Sequence, residues 1–180
     1  MTIVKKTWIV RTVVLALLLA GAAATATEAG CWAEAVSAES PLPESVQEVV
    51  LEALLGPEGE YAAYATYAAI IDEYGSVRPF TNIQESESRH IDALREILDR
   101  YDVSYPTENP YLGEVDAPDS LLEAAQAGVE AEIANVALYE RQLETVSDYP
   151  DVLDVFVNLQ TASQESHLPA FQRAVARFGG

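Results

Sequence analysis

The sequence predicts an all-α domain, a four-helix bundle made of two antiparallel hairpins joined by a long crossover. Three observations carry that expectation. Four long segments repeat inward positions at steps of three and four, the spacing of a buried helical seam. The first two segments are linked by a short turn, as are the last two, which makes each pair antiparallel neighbours. Between the pairs runs Asp102 to Pro118, rich in proline and without helical period. Fully extended it would reach about 55 Å, enough to cross the length of a bundle.

The 180 residues, 49% of them hydrophobic, suffice for one domain with a proper core. The start of the chain stands apart from it. Lys5, Lys6 and Arg11 accompany an unbroken run of apolar and small residues, Val13 to Ala24, shorter than a membrane-spanning helix needs. Ala24-Thr25-Ala26 supplies a small-x-small cleavage site, so residues 1–26 read as a secretory signal peptide and the protein as exported. Cys31, the single cysteine, follows Gly30 as in lipoprotein signals, although Glu28 stands where such signals want leucine. Signal and a lipid on Cys31 are the membrane attachments to be weighed. Residues 27–43 are small, polar and proline-terminated, a linker.

The bundle domain is expected over residues 44–178. A short helix, Ser45 to Leu55, ends at Gly56-Pro57. The first long helix runs from Glu58 to Tyr74, with Glu60, Tyr64, Tyr67, Ile71 and Tyr74 inward. The second ends near Tyr101 and turns Ile83, Glu87, His90, Leu94, Ile97 and Tyr101 inward. Pro118-Asp119-Ser120 opens the third, which reaches about Val146 with Leu122, Ala125, Val129, Glu132, Val136, Tyr139 and Leu143 on its seam. The fourth spans Asp151 to Phe178, presents Phe156, Ser163, His167 and Phe171, and should kink at Pro169.

Polar groups on these seams carry the chemistry. Glu60, Glu87, His90, Glu132 and His167 give every long helix at least one group able to bind metal, and both histidines of the chain are among them. A buried unpaired charge is costly, so the set calls either for a cation or for Glu–His ion pairs. Mixed imidazole and carboxylate donors suit iron, manganese or zinc. Di-iron bundles use one Glu from each of two helices and a Glu-x-x-His from each of the others. Glu60, Glu87-x-x-His90 and Glu132 match that pattern. The fourth helix departs from it. Gln164 stands three residues before His167, and the nearest acid, Glu165, lies two residues away and roughly 200° round a regular helix.

Residues 54–175 resemble the ferritin-like family catalogued as domain of unknown function 2202. The resemblance rests on Glu60 to Tyr67, on Phe80-Thr81-Asn82-Ile83 followed by Glu85-Ser86-Glu87-Ser88-Arg89-His90, on Glu130 to Val136, and on Glu165-Ser166-His167-Leu168-Pro169-Ala170-Phe171. The family's acid-Ile-Ala-Asp-Leu run here reads Glu132-Ile133-Ala134-Asn135-Val136, one acid replaced by Asn135. The resemblance implies a ferritin or rubrerythrin relative, and its Glu-x-His pattern in the fourth helix makes Glu165 a ligand candidate beside Glu60, Glu87, His90, Glu132 and His167.

Charge narrows the partners. Beyond Ala26 the chain holds seven arginines, no lysine and all 29 acidic residues, a net −22. Such a surface repels nucleic acid and anionic lipid and attracts cations; adaptation to a salty medium explains the same excess. The expected function is therefore an exported ferritin-like metal-binding protein, with a di-iron site acting on oxygen, peroxide or iron and Tyr64, Tyr67 or Tyr139 nearby. The alternative is a non-catalytic bundle with buried Glu–His ion pairs serving a binding or envelope role. One cysteine cannot form a rubredoxin-like relay, and linker and export suit a monomer or dimer rather than a storage cage.

Overall fold

A computed structural model describes residues 41–180. The expected signal peptide, Cys31 and most of the linker lie outside those residues. Within them every regular element is helical, and no strand forms. Leu42, at the end of the expected linker, is buried in the core rather than solvated.

Helix α1 covers Glu44–Leu55 and buries Val46, Val50, Ala53 and Leu54. It stops at Gly56, and the chain turns sharply into α2, Glu60–Tyr74. Gly59 makes that corner possible, because a Cβ there would lie 2.4 Å from the Ala53 carbonyl oxygen. The corner also explains why α2 starts two residues later than its sequence suggests. Gly75 ends it in a left-handed conformation at φ +76°, a conformation glycine reaches without steric cost.

Helix α3, Phe80–Arg100, packs on α2 as the second half of a hairpin. Its outer face is polar, and its inner seam of Ile83, Glu87, His90, Leu94 and Ile97 is buried as the periodicity requires. The crossover then returns along α2. Tyr61 Oη donates to the Pro106 carbonyl at 3.1 Å, Asn109 Nδ2 to the Tyr61 carbonyl at 2.8 Å, and Tyr111 Oη to Leu55 at 2.7 Å. At the far end of α2 the Tyr74 hydroxyl meets the Pro118 carbonyl. The segment thus spans the bundle end to end.

Helix α4, Leu121–Val146, is capped by Ser120, whose side chain accepts from the Glu123 backbone N–H at 3.2 Å. A short turn leads to α5, Pro150–Ala162, then to a π-helical turn, Ser163–His167, and to α6, Leu168–Gly179. The expected kink is therefore a break in hydrogen-bond register. Pro169 has no N–H to give the Glu165 carbonyl, and the Leu168 N–H reaches back five residues to Ser163. α4 packs along α5, the π-turn and α6 as the second hairpin, and together the helices form a bundle.

Two apolar clusters fill its interior. One gathers Val50, Leu54, Tyr61, Ile91, Leu94, Tyr139, Phe156 and Leu159 around α1. The other gathers Tyr67, Ile70, Phe80, Ile83, Ala125 and Phe171. On α3, on α4 and on the α5–α6 run, the polar inward residues fall between members of the two clusters.

Candidate metal centre

Glu60, Glu87, His90, Glu132 and His167 come together in that intervening layer, all buried. Each arrives from a different point of the fold. Glu60 is the first residue of α2, Glu87 and His90 share one face of α3, Glu132 lies mid-way along α4, and His167 closes the π-turn.

Glu87 is the centre of the arrangement. Its Oε2 lies 2.8 Å from His90 Nδ1 and its Oε1 lies 3.3 Å from His167 Nδ1. His90 Nδ1 also meets Glu60 Oε2 at 3.2 Å, and His167 Nδ1 lies 3.4 Å from Glu132 Oε2. The two imidazoles stack with centroids 5.6 Å apart. Two overlapping donor groups result, Glu60–Glu87–His90 and Glu87–Glu132–His167, each with its ligand atoms within 4.8 Å of one another. His90 Nε2 faces Ser86 Oγ at 3.3 Å, which leaves Nδ1 as the nitrogen turned inward.

Two buried tyrosines close the layer in a crossed pattern. Tyr67 on α2 donates to Glu132 Oε1 on α4 at 2.8 Å. Tyr139 on α4 donates to Glu60 Oε1 on α2. Each tyrosine stands seven residues, two helical turns, beyond the glutamate on its own helix and bonds the glutamate of the other. This doubled Glu-x6-Tyr spacing is a signal in the sequence that periodicity alone passes over.

Burial and like charge set the protonation. Burial, helped by the neighbouring Glu87 charge, pushes the Glu60 carboxyl up to about 7. Burial pulls the same way on Glu87, but the His167 and His90 imidazoles close to its two oxygens outweigh it and hold that carboxyl below its usual range. Burial opposes charge on His90, yet its bonds to Glu60 and Glu87 prevail and raise it to about 10. His167 rises to about 9 against the same penalty, through Glu132 and Glu87. Tyr67 and Tyr139 are pushed well above the ordinary phenol range, first by burial and then by the adjacent carboxylates. In the metal-free cluster the imidazoles carry protons and the tyrosines remain donors.

Glu165 is not brought into this layer. It is exposed, as are Gln164 and Ser166 on either side. The π-turn does distort the helix, yet Ser163 and His167 keep their common buried face and Glu165 stays in solvent. On the same stretch a neutral pair is buried instead, for Ser163 Oγ donates to Asn135 Oδ1 at 2.6 Å. Asn135 in turn donates to the Glu58 carbonyl at 3.0 Å. Tyr64, expected near the site, is only half-buried and packs against the α1-side cluster.

A family model described as "Uncharacterized protein domain (DUF2202)" matches residues 53–180. The chain is 26% identical over 155 residues to "Uncharacterized protein MJ0754" of Methanocaldococcus jannaschii, an alignment covering 78% of this chain and 80% of that one. A crystal structure of hypothetical protein MJ0754 from Methanococcus jannaschii is similar with a TM-score of 0.67 at 25% identity, covering 79% of this chain and 86% of that one.

Proposed function

The chain belongs to the DUF2202 family, and within it we propose an exported, ferritin-like metal-binding bundle that holds two iron ions and acts as an oxidase, a peroxidase or an iron-handling protein. The observation that carries the reading is the Glu87 carboxylate, whose two oxygens face two separate Glu–His groups. A carboxylate so placed is arranged to be shared between two cations.

The residues fit such ions. His167 Nδ1 is buried without a hydrogen-bond partner, although two carboxylate oxygens stand 3.3 and 3.4 Å from it. A buried nitrogen at the convergence of two carboxylates, with a well-directed hydrogen bond to neither, is placed as a metal ligand would be. Glu60, Glu87 and His90 would hold one ion, and Glu87, Glu132 and His167 the other; manganese or zinc suits the same donors. Iron bound there would supply one-electron redox chemistry toward dioxygen, peroxide or ferrous iron. The protein's own share is to keep the layer dry between two apolar clusters and to hold Nδ1 of both imidazoles inward. Anaerobic titration of the chain with ferrous iron, followed by air, tests the proposal. Two ions per chain and an absorbance of oxo-bridged ferric iron are expected, and neither signal appears if the reading is wrong.

A second reading rests on the ion pairs themselves. Glu60 and Glu87 already partner His90, and protonated imidazoles offset the buried carboxylates without metal. The bundle would then be non-catalytic, with a binding or envelope role. Elemental analysis of the purified protein separates the readings: under the second, metal content is zero and stays zero when His90 and His167 are replaced by Gln.

A further inference from the structure

The terminal carboxylates are each half occupied. Glu60 turns Oε2 toward His90 and gives Oε1 to the Tyr139 hydroxyl. Glu132 turns Oε2 toward His167 and gives Oε1 to the Tyr67 hydroxyl. Glu87 alone has both oxygens directed at the imidazoles. Both tyrosines are fully buried, so no water competes for their hydroxyls.

We propose that Tyr67 and Tyr139 are positioning residues that set the metal selectivity of the centre by limiting Glu60 and Glu132 to one donor oxygen each. The inference rests on the metal-binding reading above. An oxygen accepting a hydrogen bond from a fixed, buried phenol is poorly available to a cation, so neither terminal glutamate closes a two-oxygen chelate. Each position then offers three protein donors: one terminal oxygen, one Glu87 oxygen and one imidazole nitrogen.

That count discriminates between ions. Calcium takes six to eight oxygen ligands and favours chelating carboxylates. Zinc is satisfied by about four donors, and iron and manganese by about six with imidazole nitrogen accepted among them, so none of them needs the larger chelated shell. The crossed tyrosines thereby turn two flexible acids into a site selective for the smaller ions. In an acidic, cation-attracting protein this is a means of refusing calcium.

The test compares manganese(II) and calcium(II) affinities, by titration against a competing chelator, in the full chain and in Tyr67→Phe, Tyr139→Phe and the double variant. The unmodified chain should bind two manganese ions and prefer them strongly. In the double variant the manganese-to-calcium preference should fall by about tenfold or more, the scale on which partners of metal ligands act, with two ions still bound. Each single variant should lose preference at one of the two positions. If the chain binds manganese and the preference is unchanged or larger in the variants, the role assigned to the tyrosines is overturned while the metal centre stands. If the unmodified chain binds neither ion, the metal reading itself fails. Should the double variant not fold, the two single variants decide.

Discussion

Ser163 donates a 2.6 Å hydrogen bond to Asn135, tying the π-turn to α4 beside the Glu–His layer. The pair is neutral and buried, one turn along α4 from Glu132. Asn135→Asp places a carboxylate there and keeps Ser163 as its donor. It should raise divalent metal affinity, read by chelator competition. It should also destabilise the metal-free protein by about 1–3 kcal/mol, read by urea denaturation, because another buried carboxylate joins Glu132 one turn away.

Sharing of Glu87 predicts an unequal response to substitution. Glu87→Gln should abolish both metal positions, whereas His90→Gln and His167→Gln should each remove one, as counted by elemental analysis after loading. Without metal, Glu87→Gln should also destabilise the fold by about 3–5 kcal/mol, since two buried imidazoles lose a common partner. Glu165→Gln should change neither quantity, because Glu165 is exposed.

The imidazoles set the pH dependence. His90 and His167 are raised from 6.5 to about 10 and about 9, so the folded state binds their protons more tightly than the unfolded chain does. Their contribution is complete below pH 6.5 and disappears as pH rises through 9 and 10. Glu60, raised from 4.5 to about 7, acts in the same sense, its contribution present below 4.5 and lost through 7. Glu87 acts oppositely, since its lowered carboxyl stabilises above 4.5 and that contribution is lost only in acid. The chelator-treated protein should therefore lose stability steadily from pH 6.5 to 10, as followed by thermal denaturation. Metal affinity should rise over the same interval, because binding must displace the imidazole protons.

Packing gives a prediction independent of metal. A Cβ on Gly128 would lie 2.7 Å from the ring of Phe171, which is fully buried and has no room to withdraw. Gly128→Ala should cost about 1–3 kcal/mol through overpacking where α4 meets α6, measured by denaturant unfolding.

Much of this arrangement is written in periodicity where a helix has a wet side. α3 alternates a charged outer face with Ile83, Glu87, His90, Leu94 and Ile97, and the helical spacing alone locates the acid and the imidazole. α2 has no such contrast. It is alanine- and tyrosine-rich all round, so the spacing suggested Tyr64 and Ile71 where the bundle buries Tyr61, Ala65 and Ile70. On α4 the seam of Leu122, Val129 and Val136 includes Glu132 but passes over Asn135 and Gln142, which are buried with side-chain partners. The family resemblance makes Glu165 a candidate by sequence spacing, and spacing does not fix its direction across a turn whose period is longer than that of an α-helix. Pro169 signalled a disturbance there without revealing its form.

The crossed bonds from Tyr67 to Glu132 and from Tyr139 to Glu60 also act as a gauge of alignment. Apolar burial on either side is non-directional and so specifies the alignment of α4 along α2 less sharply than a directed hydrogen bond does. A slip of one turn, about 5.4 Å, would break both bonds together and leave a buried oxygen of each carboxylate without its donor. The polar layer thus penalises a one-turn slip through lost hydrogen bonds rather than lost contact area, and the least hydrophobic stratum of the bundle helps fix how its helices are aligned along the axis.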